Sequence, residues 1–159
     1  MITAHGFNLF LIIMALVAVV VFIALFFVDA GYGKFYHPKW GPSLDNHLGW
    51  FLMEVPVFLA MLLLWWLSDR RGDGIRLTFL LLFEIHYFHR SFVFPRQLRG
   101  HSRMPWTIVL MGALFNTLNA LMQGGWIFFV SPADYYPHGW LLSFPFLAGT
   151  LLFIVGMVV

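Results

Sequence analysis

The sequence predicts an all-α membrane protein, a polytopic bundle of transmembrane helices. Composition is the first reason: 61% of the 159 residues are hydrophobic and 10% are charged, where a soluble domain carries about 25% charged residues. The mean hydropathy is +0.84. The second reason is that apolar runs recur near the roughly 20 residues that cross a bilayer, with short polar turns between them. Lys and Arg total 9 against 7 acids, a net charge of +2, which is little basis for a nucleic-acid partner; no obligate protein partner is evident either. The absence of cysteine excludes a disulfide framework and thiolate metal sites and leaves the redox compartment open.

About five spans fit this chain. The first runs from about Phe7 to Val28, closed by Asp29 and the turn Gly31-Tyr32-Gly33. Nothing basic precedes it and no small-residue cleavage site follows it, so it reads as a retained helix rather than a signal peptide. After a polar loop, Lys34 to His47, the second span runs from about Leu48 to Leu67. Ser68 to Gly74 is a tight charged turn, and the third span covers about Ile75 to Phe94. A basic loop, Pro95 to Pro105, leads to the fourth span, about Trp106 to Val130. The fifth begins near Gly139 and is still apolar at Val159, which gives the expectation of one domain, 1–159, at the front of a longer protein. Lys34, Lys39, Arg96, Arg99 and Arg103 fall on one side, and Arg70, Arg71 and Arg76 beside two aspartates on the other. The excess places the Arg96–Arg103 loop in the cytoplasm and the N-terminus outside.

The polar residues inside these spans are the candidates for function, because intramembrane ionisable groups face a bundle interior or a wet cavity. Glu84, His86, Tyr87, His89 and Arg90 lie within seven residues. At helical pitch His86, His89 and Arg90 share one face, and Glu84, Tyr87 and Phe88 the next. Glu54 precedes Pro56, which invites a kink. At that depth Glu54 is protonated, paired or in a wet cavity, and a structural ion pair with Arg90 or a histidine is its bland alternative. Tyr87 alone reads as an interfacial belt tyrosine. His86 and His89 offer weak spacing for a metal or haem, with no third ligand in view, so no metal site is expected. Asn116, Asn119 and Gln123 form a polar stripe on the fourth span. They are either interhelical hydrogen-bonding groups, worth about 1 kcal/mol each, or the polar wall of a ligand cavity. Gly124-Gly125 would admit another backbone or a cofactor.

His86-Tyr87-Phe88-His89-Arg90-Ser91-Phe92-Val93 closely resembles the signature of the steroid 5α-reductase family, the membrane 3-oxo-steroid 4-ene reductases. Gly31-Tyr32-Gly33-Lys34, Trp50-Phe51-Leu52 with Glu54, Pro56 and Phe58, Arg99-Gly100, Asn119, Gln123-Gly124, Tyr136-Pro137 with Gly139-Trp140, and Leu152-Phe153-Ile154 with Gly156-Met157 resemble further family segments in the family's order. Two positions depart from the pattern: Met53 stands where a glutamine is usual, and Met111 where mammalian members have an arginine. The resemblance implies two further spans, about seven in all, with most NADPH-binding residues in that C-terminal part. The chain then reads as the substrate-side part of the enzyme.

The resemblance also implies a reaction: NADPH-dependent hydride addition to C5 of a 3-oxo-4-ene steroid, with enolate charge on the C3 oxygen. Such a site requires donors aimed at that oxygen. Tyr87 and a protonated Glu54 are expected as the catalytic donors. Tyr32, Trp50, Met53 and Phe115 are expected around the steroid, and Arg90, Arg99, Arg103, Asn119 and Gln123 around the cofactor. An enoyl-CoA or polyprenol reductase of the same superfamily is the nearest alternative. A non-catalytic haem- or proton-binding bundle is the alternative of another class. The membrane is expected to be a bacterial inner membrane or the endoplasmic reticulum.

Overall fold

A computed structural model describes residues 3–28, 31, 36–100 and 102–158; Asp29, Tyr32, Gly33, Lys34 and His101 lie outside the described residues. The protein is an all-α membrane protein. Helix α1 (Ala4–Ala24) starts at Thr3, whose hydroxyl accepts the N–H of Gly6 at 3.1 Å. Its surface is apolar and exposed nearly all round, with Phe7 buried, as suits a helix solvated by lipid. Helix α2 (Asn46–Leu67) is capped by Asp45, which accepts the N–H groups of His47 and Leu48. Helix α3 (Gly74–Phe88) is capped by Asp73, which accepts from Ile75 and Arg76.

Helix α3 continues through a π-helical turn, His89–Val93, into α4 (Phe94–Gln97). The predicted loop from Pro95 therefore starts later. Pro95, the second residue of α4, has no N–H to donate back to the preceding π-helical turn. Helix α5 (Trp106–Gly125) runs into a second π-helical turn, Trp126–Val130. The predicted fifth span is shorter than expected: a 3-10 turn, Trp140–Leu142, precedes α6 (Phe144–Val158). Among the described residues, three helices are long and apolar enough to cross a membrane: Ala4–Ala24, Asn46–Leu67 and Trp106–Val130. The α3–α4 path, roughly 36 Å long at about 1.5 Å per residue, is the more highly charged one.

Two strands missed by the sequence reading, β1 (Ser43–Asp45) and β2 (Arg103–Pro105), pair antiparallel with Leu44 opposite Met104. They bring the N-terminal ends of α2 and α5 together. Along the α2–α5 seam small residues admit large ones. Met53 lies over Gly112, and a Cβ at Gly124 would sit 2.7 Å from Leu64 Cδ1; Gly125 is faced by Phe7 of α1. Close approach over small residues is how helices pack where lipid gives no hydrophobic drive. Val57, Met61, Leu80, Ala120 and Phe128 join α2, α3 and the α5 path in one core.

The turn between α2 and α3 is locked by charge. Burial works against ionising Asp73, but the Arg76 N–H, the Arg76 guanidinium and the Ile75 N–H outweigh it and hold its carboxyl below the usual range. Asp73→Ala is expected to lower stability by about 1–2 kcal/mol through loss of the cap. Because the folded pKa lies below the unfolded one, this contribution is complete above the ordinary carboxylate range and is lost as pH falls through the folded value. Unfolding in detergent against pH checks this: the difference between wild type and Asp73→Ala should shrink at acid pH.

Candidate active site

Glu54, on α2, is 2% exposed. Arg90, in the first π-helical turn, donates from Nη2 to Glu54 Oε1. Asn116, on α5, donates from Nδ2 to Glu54 Oε2 at 3.2 Å and to the Met53 carbonyl at 3.0 Å. The Arg90 guanidinium also lies 5.2 Å over the Trp50 ring, which packs edge-on against Phe94 at 5.0 Å. In the structure Glu54 thus makes the ion pair with Arg90 that the sequence offered as its alternative. Removing it would leave Arg90 without its carboxylate in a low-dielectric seam.

Tyr87 lies one helical turn before Arg90 and is engaged from α5. Asn119 Nδ2 donates to the Tyr87 oxygen at 2.9 Å, and Gln123 Nε2 donates to Asn119 Oδ1 at 2.9 Å. The direction of this relay matters. The Tyr87 oxygen serves Asn119 as an acceptor, so its own proton is free for a ligand. The polar stripe on α5 therefore serves two groups, Asn116 on Glu54 and Asn119 on Tyr87. Thr117 bonds back to the Ala113 carbonyl at 2.8 Å.

Beside Tyr87 is a cavity of about 680 Å³ between α3, the α5 path and α6. Along α3 it reaches from Phe79 to Tyr87, about 12 Å at the helical rise. Gln123 and Trp126 line it from one side, and Phe146, Thr150 and Phe153 from α6. Its size falls in the range of small-molecule sites, about 300–1,000 Å³. His86 also faces it. The Nδ1 of His86 meets Met157 Sδ at 3.4 Å, and its ring stands edge-on to Tyr87 at 5.0 Å.

The structure groups Glu54 with Arg90 and Trp50, and Tyr87 with Asn119 and Gln123. Other expected residues stand apart. Phe115 is 61% exposed and does not line the cavity. Met53 packs over Gly112. Arg99 is exposed between α4 and β2, and Arg103 clamps the strand pair through Ser43 at 2.8 Å. Tyr32 is outside the described residues. Missed from sequence were the cavity walls Trp126, Phe146 and Phe153, apolar residues among many, and the choice of Asn116 as a Glu54 partner. Glu84 is buried, and neither of its oxygens has a hydrogen-bond partner among the described residues.

Fold and site together define an α-helical membrane protein with a ligand-sized cavity beside a hydrogen-bonded phenol, and an ion pair whose carboxylate is buried. The 3-oxo-5-alpha-steroid 4-dehydrogenase family profile matches residues 102–159. A steroid 5-alpha-reductase DET2 of Gossypium hirsutum is 32% identical over 155 residues, 95% of this chain and 59% of that protein. A 3-oxo-5-alpha-steroid 4-dehydrogenase 2 of Sus scrofa is 35% identical over 140 residues, 85% of this chain and 53% of that protein. The human protein of that name is 35% identical over 132 residues, covering 80% and 50%. Over most of its length the chain is similar to curated steroid 5α-reductases, as its motifs lead one to expect, and it spans about half the length of the curated relatives it matches.

The ion pair makes a stability prediction. Glu54→Ala is expected to lower stability by roughly 1–3 kcal/mol. The double variant Glu54→Ala/Arg90→Ala should fall short of the sum of the two single losses, by about 0.5–3 kcal/mol of coupling. Unfolding midpoints in detergent measure both.

Proposed function

We propose that the protein reduces the 4,5 double bond of 3-oxo-4-ene steroids to 5α-steroids, with NADPH as reductant. The likeness to steroid 5α-reductases supports the reaction class, and one observation carries the chemistry: Asn119 donates to Tyr87 beside the cavity, leaving the phenol proton to meet a carbonyl oxygen. When bound, NADPH supplies the hydride that adds to C5. The cavity suits the flat, amide-bearing end of this cofactor, with aromatic walls and the Gln123 amide. Among the described residues no Lys or Arg lines it. Arg90 is committed to Glu54 and Arg103 to Ser43, which leaves Arg99 as the candidate of the three for a phosphate. We place the remaining phosphate contacts in the part of the family's length that this chain does not span.

The steroid approaches Tyr87 from the α2 side, past Trp50. As enolate charge develops on the C3 oxygen, Tyr87 donates to it; one such aimed donor lowers a barrier by about 3–4 kcal/mol. Glu54 holds Arg90 and Asn116 in place and so keeps Asn119 in register with Tyr87. The N-terminal end of α1 faces the outer or lumenal side, and the loop carrying Arg96 and Arg99 faces the cytoplasm, by the balance of Lys and Arg.

The test is NADPH oxidation and product mass with a 3-oxo-4-ene steroid, using the full-length protein in detergent. Tyr87→Phe is expected to lower kcat by about 10²–10³-fold, and Asn119→Leu by less. Near wild-type turnover in Tyr87→Phe removes Tyr87 from the reaction. NADPH binding without steroid reduction would transfer the same chemistry to an enoyl-CoA or polyprenol substrate.

A further inference from the structure

Arg76 is 2% exposed and takes no part in the chemistry above. Its guanidinium reaches Asp73, donates from Nε to the Ile127 carbonyl at 2.9 Å, and from Nη2 to the Pro132 carbonyl at 3.0 Å and Ser131 Oγ at 3.3 Å. Helix ends leave carbonyls that need such donors, so an end cap is the plain reading. That end is already served, however. Ser68 Oγ donates to the Phe128 carbonyl at 2.9 Å and Arg70 Nη1 to the Ser131 carbonyl at 2.7 Å. Burying a further guanidinium is costly and adds little as a cap.

Arg76 also reaches the cavity wall. Ile127 and Tyr136 both line the cavity. The Arg76 guanidinium lies 5.2 Å over the Tyr136 ring. Tyr136 stands edge-on to Phe79 at 5.0 Å and accepts from Trp126 Nε1 at 3.0 Å. Phe79 follows Arg76 by one helical turn and also lines the cavity. Two wall residues from two segments thus rest on this one side chain, and Phe79 packs on one of them, at the end of the cavity away from Tyr87. A planar fork with several N–H donors makes these contacts at once, and a lysine ammonium does not reproduce that geometry.

We propose that Arg76 is a positioning residue that sets the Phe79 end of the cavity, and thereby how a flat ligand is seated against Tyr87. This rests on the reading that the cavity takes the nicotinamide end of NADPH. The test uses a thiol reporter, since this chain contains no cysteine. Thr150→Cys, on the α6 wall, is labelled with a maleimide in the full-length protein, on a background free of other thiols, with and without NADPH.

Arg76→Lys is expected to speed labelling about tenfold, the scale of one lost charged hydrogen bond, and to raise by a similar factor the NADPH needed for protection. In the enzyme assay the KM for NADPH should rise with far less change in kcat or in the KM for steroid. Tyr136→Leu, which leaves Arg76 in place, should open the wall in the same way, and it stands in if Arg76→Lys fails to fold. Unchanged labelling and protection in Tyr136→Leu, and in Arg76→Lys if it folds, with only a lower unfolding midpoint, would reduce Arg76 to a cap and overturn the proposal. Faster labelling in the variants, with no NADPH protection even of wild type, would uphold the positioning role and sink the cofactor reading instead.

Discussion

The pairing of Glu54 with Arg90 is the constraint from which the site follows. A carboxylate at this depth in an apolar bundle must find a partner within the protein, and the one it finds sits on the next helical segment. Satisfying it fixes α2 against the α3 path at one height. Tyr87 is one turn from Arg90, so placing the arginine also places the phenol. The π-helical turn at His89–Val93 changes the phase of the helix at that point, as such turns do at functional sites. Arg90 then addresses α2 while His86 and Tyr87 address the cavity.

Helix α5 supplies the other half. Its stripe of amides is divided between two tasks, Asn116 on Glu54 and Asn119 on Tyr87. The stripe can serve both because Gly112 and Gly124 let α2 side chains close on α5. The short β1–β2 pair starts both helices at one level, and the charged lock around Arg76, Ser68 and Ser131 fixes the other end. Two clamped ends and a polar middle leave the space toward α6 as the cavity.

The spans were legible in the sequence because apolar runs of bilayer length, ended by Asp, Gly and Pro, have few other solutions. The caps at Asp45 and Asp73 follow the same local rules. The π-helical turns were not legible, since no residue pattern marks them, and neither was the three-residue strand pair, too short for a period. Helix α6 begins later than expected because Pro145 falls in its first turn, a position the apolar run does not reveal. Within the site, residue type flagged Glu54 and the α5 stripe, and the resemblance flagged Tyr87. Which donor meets which acceptor, Arg90 and Asn116 on Glu54 or Asn119 on Tyr87, depends on the helix packing. Phe115 was assigned to a wall from resemblance, but it faces outward in the described residues.

The central claim is that Tyr87, oriented by Asn119, gives its proton to the carbonyl oxygen of the bound enone. The most direct measurement is the infrared carbonyl stretch of a 3-oxo-4-ene steroid, isotopically labelled at C3 and bound to the full-length protein. The stretch should fall below its value in an apolar solvent in wild type, and return most of the way in Tyr87→Phe. The same frequency in both proteins would contradict the claim and show that the oxygen meets another donor.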